Sequence, residues 1–212
     1  MPEAVAYIDG WNFYYGAVRN RPGLKWVNPR AMLERLLPHE SITTIRYFSA
    51  PLVKSVADPG ALARRSVYFR ALATISGLVI HEGRMAIRTK RGVVLPKSTP
   101  PQLATIEVFE EKRTDVNIAS HLLVDAFGGR YDTAVVVSND SDLTTPIDMG
   151  VNQLGKGVIV VNPYPVRRQS SELRRAASRT IPAINASVLR ASQFPDRLTD
   201  ARGSFTRPGS WV

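Results

Sequence analysis

With 212 residues, 44% of them hydrophobic, the chain is long enough for one sizeable core and does not have the composition of a disordered protein. It has no cysteine, which excludes disulfide frameworks, thiolate metal sites and cysteine nucleophiles, and which suits a reducing compartment. A formal net charge of +10 favours polyanionic partners, nucleic acid first, although a soluble basic protein with no such partner has the same composition. Met1-Pro2-Glu3-Ala4 is not a basic region followed by an apolar core, and no stretch approaches the roughly 20 apolar residues of a membrane span. A soluble, unexported, cytoplasmic protein with no membrane partner is therefore expected.

Ala4 to Ile8 is a short apolar run that ends at Asp9-Gly10, and Trp11 to Asn20 then has helical character, so the chain opens as strand, turn, helix. Asn28-Pro29 supplies a cap and a first-turn proline for a helix to Leu37, stopped by Pro38. Thr43 to Ala50 alternates as a second strand. Asp58-Pro59 repeats the cap-plus-proline start, and Leu62, Val67, Phe69, Leu72 and Ile75 mark a long helix ending at Gly77, followed by a strand from Leu78 to His81. Residues 84–101 differ in kind. There Met85 to Arg88 and Val93 to Leu95 flank Lys90-Arg91-Gly92, which predicts a basic hairpin and a proline-rich link inserted into the core domain.

Thr105 to Lys112 reads as extended, and Thr114-Asp115 caps a helix from Val116 to Phe127 that Gly128-Gly129 terminates. The β-branched run Thr133 to Val137 has the length of one buried strand and stops at Ser138-Asn139-Asp140-Ser141-Asp142, a small polar turn with two carboxylates. A helix from about Ser141 to Leu154 follows, with Pro146 in its first turn or bending it. Gly157 to Val161 is another strand. Ser170 or Ser171 with Glu172 starts an arginine-rich helix to about Ser178, and Thr180 to Ile184 adds an edge strand. Strands alternating with helices imply an α/β domain over residues 1–190, with a mostly parallel central sheet and helices on both faces; residues 191–212, poor in apolar groups from Phe194 onward, are expected to form a flexible or partner-wrapped tail.

In such a sheet, ligands sit at the carboxyl ends of the strands. Asp9 ends the first strand, Asp140 and Asp142 follow the strand at 133–137, and Asp115 stands at a helix start, in line with the inward face of Ile118, Ala119 and Leu122. Singly, each aspartate reads as a turn or a cap. Together at strand ends and helix starts they read as one acidic pocket, which needs a compensating cation. Hard oxygen ligands without cysteine or paired histidine favour Mg²⁺ or Mn²⁺, and such a pocket in a basic protein points to phosphodiester chemistry.

Three blocks carry a resemblance. Tyr7-Ile8-Asp9-Gly10-Trp11-Asn12-Phe13, Glu111-Lys112-Arg113-Thr114-Asp115-Val116 and Val137-Ser138-Asn139-Asp140-Ser141-Asp142-Leu143 resemble, in order, the signature blocks of the NYN domain family of PIN-like nuclease relatives, over roughly residues 4–185. The resemblance implies a PIN-like three-layer fold and RNA hydrolysis with Mg²⁺ or Mn²⁺. It implies Asp9, Asp115 and Asp140 as the metal-binding core, Asp142 as a fourth acidic member, and Asn12 beside the metal water or the scissile phosphate. Many relatives carry Gly in place of Asn139 and Phe in place of Leu143, and often an acidic residue near His121.

Substrate contacts are expected from Trp11, which follows the Asp9-Gly10 turn and can stack on an unpaired base, from Asn12, Ser138 and Asn139 beside the aspartates, and from Lys112. Arg174 and Arg175 are further candidates, with Arg167, Arg168, Lys90 and Arg91, although an arginine run is often a solvated face. His121 is expected on the surface, bonded to Asp125 four residues on. The leading expectation is a metal-dependent ribonuclease acting on single-stranded RNA, with DNA as a second substrate and a homodimer left open. The alternative is a nucleic-acid-binding or regulatory module with a vestigial pocket. A haloacid-dehalogenase-type phosphatase would need Asp where Trp11 stands, a Toprim nuclease Glu where Asp9 stands, and no Gly-x-Gly-x-x-Gly marks a dinucleotide site.

Overall fold

Apolar runs that are buried on both faces make a parallel sheet, and the computed structural model has one at its centre. It describes residues 3–21, 23–52, 58–96 and 99–211; the chain ends expected at 1–2 and 212, and part of the proline-rich link at 97–98, lie outside the described residues. Strands β1 (Glu3–Asp9), β2 (Ser41–Ser49), β3 (Leu78–Glu82), β6 (Thr133–Val137), β7 (Gly157–Val161) and β8 (Arg179–Ile181) form a six-stranded sheet in the order β3-β2-β1-β6-β7-β8. All its pairings are parallel, with Asp9 opposite Phe48 and Ile8 opposite Val137. Among the described residues no helix is long and apolar enough to cross a membrane.

Side chains alternate to the two faces, as a period of two requires. Ala4, Ala6, Ile8, Ile45, Tyr47, Val135 and Val137 pack in one core with Met32 and Leu33 of helix α2 (Pro29–Leu36) and Tyr68, Ala71 and Leu72 of helix α3 (Ala61–Leu72). Val5, Tyr7, Phe48, Ala134 and Val136 pack in the other with Ile118 and Leu122 of helix α4 (Thr114–Phe127), Ile147 of α5 (Thr144–Asp148) and Leu173 of α6 (Ser171–Ala176). The result is the three-layer α/β arrangement with helices on both faces.

Several local expectations need correction. Helix α1 (Gly10–Phe13) runs directly into a π-helical turn (Tyr14–Val18), and α5 lies between a 3₁₀ turn (Ser141–Leu143) and a second π-helical turn (Met149–Gln153), so two helices expected as regular are composite. Thr114 and Asp115 lie in the first turn of α4; the cap is Arg113, held at φ 81° with no side-chain capping bond. The turn of the basic hairpin is not at Lys90-Arg91-Gly92. These residues lie within strand β4 (Arg84–Val93), which pairs antiparallel with β5 (Leu103–Lys112), Arg84 opposite Lys112. The ribbon is thus longer than the 84–101 insertion, and its second strand leads straight into α4.

The segment from Phe194 is folded back rather than loose. Helix α7 (Ala186–Ala191) is followed by a hairpin of β9 (Arg197–Asp200) and β10 (Gly203–Thr206). Phe194 and Trp211 both pack on Trp26, at 5.5 and 6.3 Å between ring centroids, and Arg70 forms a bidentate ion pair with Asp200. Composition counted the polar residues; a few aromatic anchors decide the outcome by burying large apolar surface.

Candidate functional site

The chain leaves β1 outward through β2 and β3, then crosses back to β6, so β1 and β6 flank the point where strand order reverses. A crevice forms there at the carboxyl ends. Asp9, the last residue of β1, is 3% exposed. Its Oδ1 accepts the Asn12 backbone N–H at 3.0 Å and its Oδ2 accepts the Ser138 hydroxyl at 3.1 Å. Burial raises its pKa to about 6, against those hydrogen bonds, and the charge of Asp115 adds to the rise. Gly10 is required at the turn: a Cβ there would stand 2.7 Å from the Tyr47 ring and 2.8 Å from the Phe48 carbonyl oxygen.

From β6, fully buried Ser138 also accepts the Asp140 N–H at 3.1 Å, so one hydroxyl ties the ends of β1 and β6 together. Asp140 Oδ1 accepts the Asp142 N–H at 3.0 Å, which makes Asp140 the cap of the following 3₁₀ turn, while Asp142 is exposed. Of the two aspartates after β6, Asp140 is therefore the one that caps. Asn12 Oδ1 accepts the Asn139 N–H at 3.2 Å, and the Asn139 side chain bonds the Arg168 carbonyl at 2.7 Å and the Ser170 N–H at 2.7 Å.

Half-buried Asp115 has its pKa raised by burial and then by the charges of Asp140 and Asp142. Glu111, at the end of β5, is pushed up to about 7 by burial, with the charges of Asp9 and Asp115 adding, while bonds from the Thr114 hydroxyl and the Ala50 N–H oppose the rise. Five carboxylates are thus electrostatically coupled along this edge, Glu111 and Asp115 each to Asp9, and Asp115 to Asp140 and Asp142. Tyr47 and Tyr164 border it: burial raises both phenols, and the Asp9 charge adds to each.

A sequence model of the NYN domain matches residues 4–185. The chain belongs to the NYN domain family. This NYN chain is 29% identical over 232 aligned positions to a Pseudomonas putida (strain DSM 28022 / S16) protein named 6-hydroxy-3-succinoylpyridine 3-monooxygenase HspA, covering 97% of this chain and 74% of that relative. Among solved structures, a protein of unknown function, VPA0982 from Vibrio parahaemolyticus RIMD 2210633, matches with a TM-score of 0.55 at 15% identity, over 87% of this chain and 94% of the other, which supports the fold alone.

Within this NYN domain, Asp9, Asp115, Asp140, Asp142, Asn12, Ser138 and Asn139 lie at one edge of the sheet. Trp11 is half-buried and stacks on Tyr15 with ring centroids 5.5 Å apart. Lys112 is turned elsewhere: its Nζ pairs with Glu110 at 2.9 Å, a carboxylate also engaged by Lys90, so its charge is spent on the ribbon. Arg174 and Arg175 are exposed in the last turn of α6 and, among the described residues, make no bond to the acidic residues, whereas the Arg168 backbone is tied to Asn139.

Two features escaped the sequence reading. Glu111 sits in a signature block but at the end of a strand whose partner is distant in sequence, so nothing local marked it as buried. Asp125 is fully buried, bonded by Arg46, Tyr7 and Arg130 at 2.7, 2.8 and 2.8 Å, and not by His121. His121 instead packs on His81, 4.2 Å between centroids, and on Phe48.

The carboxylate set suits a hard divalent cation by donor type and by its uncompensated charge. Its spacing is looser than a finished site: among the described residues no three acidic or imidazole groups converge on one ion position.

Proposed function

We propose that this NYN domain hydrolyses phosphodiester bonds of single-stranded RNA with the help of Mg²⁺ or Mn²⁺. The observation that carries the reading is the gathering of Asp9, Glu111 and Asp115 at the β1/β6 edge: their pKa values are raised first by burial and then by the charge of neighbouring carboxylates, a charge excess that a cation relieves. Asp9, Asp115 and Asp140 would hold the ion, with Asp142 and Glu111 beside them, after small side-chain rotations that bring Asp115 and Asp140 towards the fixed Asp9. When bound, the ion supplies a Lewis acid for the phosphoryl oxygens and a more acidic water.

The chain's own groups do the rest. Ser138 and the Asn12 N–H fix both oxygens of Asp9, so its orientation is set before any ligand arrives. Asn12 and Asn139, linked to each other, stand beside the aspartates and orient the phosphate, and Trp11 offers a ring to the neighbouring base. Glu111, near pH 7 in its titration, holds or releases a proton beside Asp9 and is suited to take one from an attacking water.

The test is cleavage of single-stranded RNA by purified protein with Mn²⁺, repeated with EDTA and with Asp9→Asn and Asp140→Asn. Loss of cleavage in all three, with the fold retained, is expected. RNA and DNA bound but left intact by the Mn²⁺ protein would replace this reading with a nucleic-acid-binding module.

A second reading has its own observation, the similarity along almost the whole chain to a protein named as a pyridine monooxygenase. Oxygen consumption dependent on 6-hydroxy-3-succinoylpyridine, together with RNA left uncut, would favour it.

A further inference from the structure

Next to the Asp9-Gly10 turn the fold forms an open-sided cavity of about 410 Å³, in the range of small-ligand sites and too small for a strand of nucleic acid. Gly10 and Trp11 line it, so whatever occupies it lies directly beside the acidic edge.

Its walls are flat rings. Trp11 and Tyr15, four residues apart on one helical face, stack at 5.5 Å with only 13° between their planes, and Tyr47 and Phe69 add further rings to the lining. Two guanidinium planes extend these surfaces: Arg19 lies 5.0 Å over the Tyr15 ring and Arg65 lies 3.8 Å over the Phe69 ring. Rings and guanidinium groups offer faces on which a planar ligand stacks.

Its charge is unbalanced. Arg19, Lys25, Arg64 and Arg65 face one carboxylate, Asp58. Arg64 is paired with Asp58, and Arg65 with Glu82 at 3.4 Å. Arg19 and Lys25 have no carboxylate partner among the described residues. Cations gathered at the wall of a partly apolar cavity attract an anion more strongly than they would on open surface, because the surrounding low dielectric screens them less.

We propose that this cavity binds a planar aromatic ring carrying an anionic group, with the ring against Trp11 and Tyr15 and the anion at Arg19 and Lys25. Two sources share this chemistry, a nucleotide and a small heteroaromatic carboxylate. The proposal extends the nuclease reading, for which it would supply the seat of a nucleotide next to the cleaved bond, but it does not depend on that reading.

The experiment is calorimetric titration of the full chain, in EDTA, with uridine 5′-monophosphate, adenosine 5′-monophosphate and pyridine-3-carboxylate, with uridine and inorganic phosphate as controls. Saturable binding of a nucleotide or of the pyridine acid is expected, with the ring alone and the anion alone binding about ten-fold more weakly or worse. Tyr15→Ala, at an exposed position, and Lys25→Ala should each weaken it about five- to ten-fold with unchanged melting temperature. A tighter nucleotide identifies the nucleic-acid source, and a tighter pyridine acid identifies the small-molecule source. No saturable binding of any of the three, or binding that survives both substitutions, overturns the proposal. RNA cleavage by the wild-type chain with Mn²⁺, measured beside the titration, separates the two ideas: ring binding without cleavage sinks only the nuclease reading, and cleavage without ring binding sinks only the cavity.

Discussion

Ser138 donates its hydroxyl to Asp9 Oδ2 at 3.1 Å and accepts the Asp140 N–H at the same distance, so one buried side chain ties the carboxylate of Asp9 to the backbone of Asp140, 131 positions away in sequence. Both partners lose a bond if the hydroxyl is removed. Ser138→Ala should cost about 1–3 kcal/mol in urea unfolding, because a buried N–H and a buried carboxylate oxygen are left unsatisfied. Phosphodiester cleavage should fall about ten-fold at the least through misplacement of Asp9. Wild-type activity in the variant would show that this bond does not position the pocket.

The acidic edge should weigh against stability at neutral pH. Asp9 titrates near 6 in the folded chain, above the ordinary aspartate value of about 3.8, and Glu111 near 7, above about 4.5. For a raised folded value the folded state holds the proton longer than the unfolded state, so stability is fully present below the unfolded pKa and is lost as pH rises through the folded one. Asp9→Asn should therefore raise the melting temperature at pH 7–8 in EDTA by several degrees, on the order of 2–6 °C. The gain should vanish below about pH 4. Melting curves from pH 4 to 8 check this, and a gain that is flat with pH would refute it.

Asp125 is the opposite case, a buried carboxylate that the fold keeps charged. Burial works against its ionisation, but hydrogen bonds from Arg46, Tyr7 and Arg130 outweigh that and hold its pKa below the usual carboxylate range. Asp125→Ala should destabilise by about 3–5 kcal/mol, since it leaves the largely buried Arg46 guanidinium without its counter-charge. Arg130→Ala, which removes an exposed partner, should cost well under half as much. Equal losses in urea unfolding would contradict this.

His81 is held down to about 4 by burial first, then by its neighbours His121 and Arg46. For a depressed histidine the unfolded state takes up the proton first, so this contribution is fully present above about pH 6.5 and is lost as pH falls towards 4. The slope opposes that of Asp9 over the same window. The unfolding free energy of wild type minus that of His81→Phe isolates it, and should fall as the pH drops from about 6.5 towards 4.

The packed C-terminal segment, which ends in a 3₁₀ turn (Gly209–Trp211) after the β9–β10 hairpin, should be required for stability. Trp211 is 9% exposed and meets Trp26 and Tyr68 edge-on at 6.3 and 6.0 Å. Trp211→Ala should cost about 3–5 kcal/mol, the range for a buried aromatic. Retained thermal stability would restore the picture of a loose tail.

Much of the fold was legible because the deciding interactions are local or periodic. Runs such as Thr133–Val137 and Gly157–Val161 are the length of one strand and apolar on both faces, which specifies a buried parallel sheet; Asn28 and Ser170 cap their helices as side chains that accept backbone N–H groups. The strands in chain order and the aspartates at their ends followed from the same local signals, whereas the order of strands across the sheet did not. The sequence therefore determined the α/β class, the family and the strand ends at which Asp9 and Asp140 stand.

What tertiary structure alone decided was which groups share an environment. The strand partner of Arg84–Val93 is chosen by pairing across an intervening segment, so the ribbon's true turn and the burial of Glu111 at its foot were invisible locally. Asp125 is spaced like an ordinary surface partner of His121, yet Arg46 and Tyr7, on neighbouring strands, draw it inside. Trp26 and Trp211 are at opposite ends of the chain, and a polar tail becomes a packed hairpin because that aromatic contact repays its ordering. Periodicity fixes what each element buries; the choice of partner is a property of the assembled sheet.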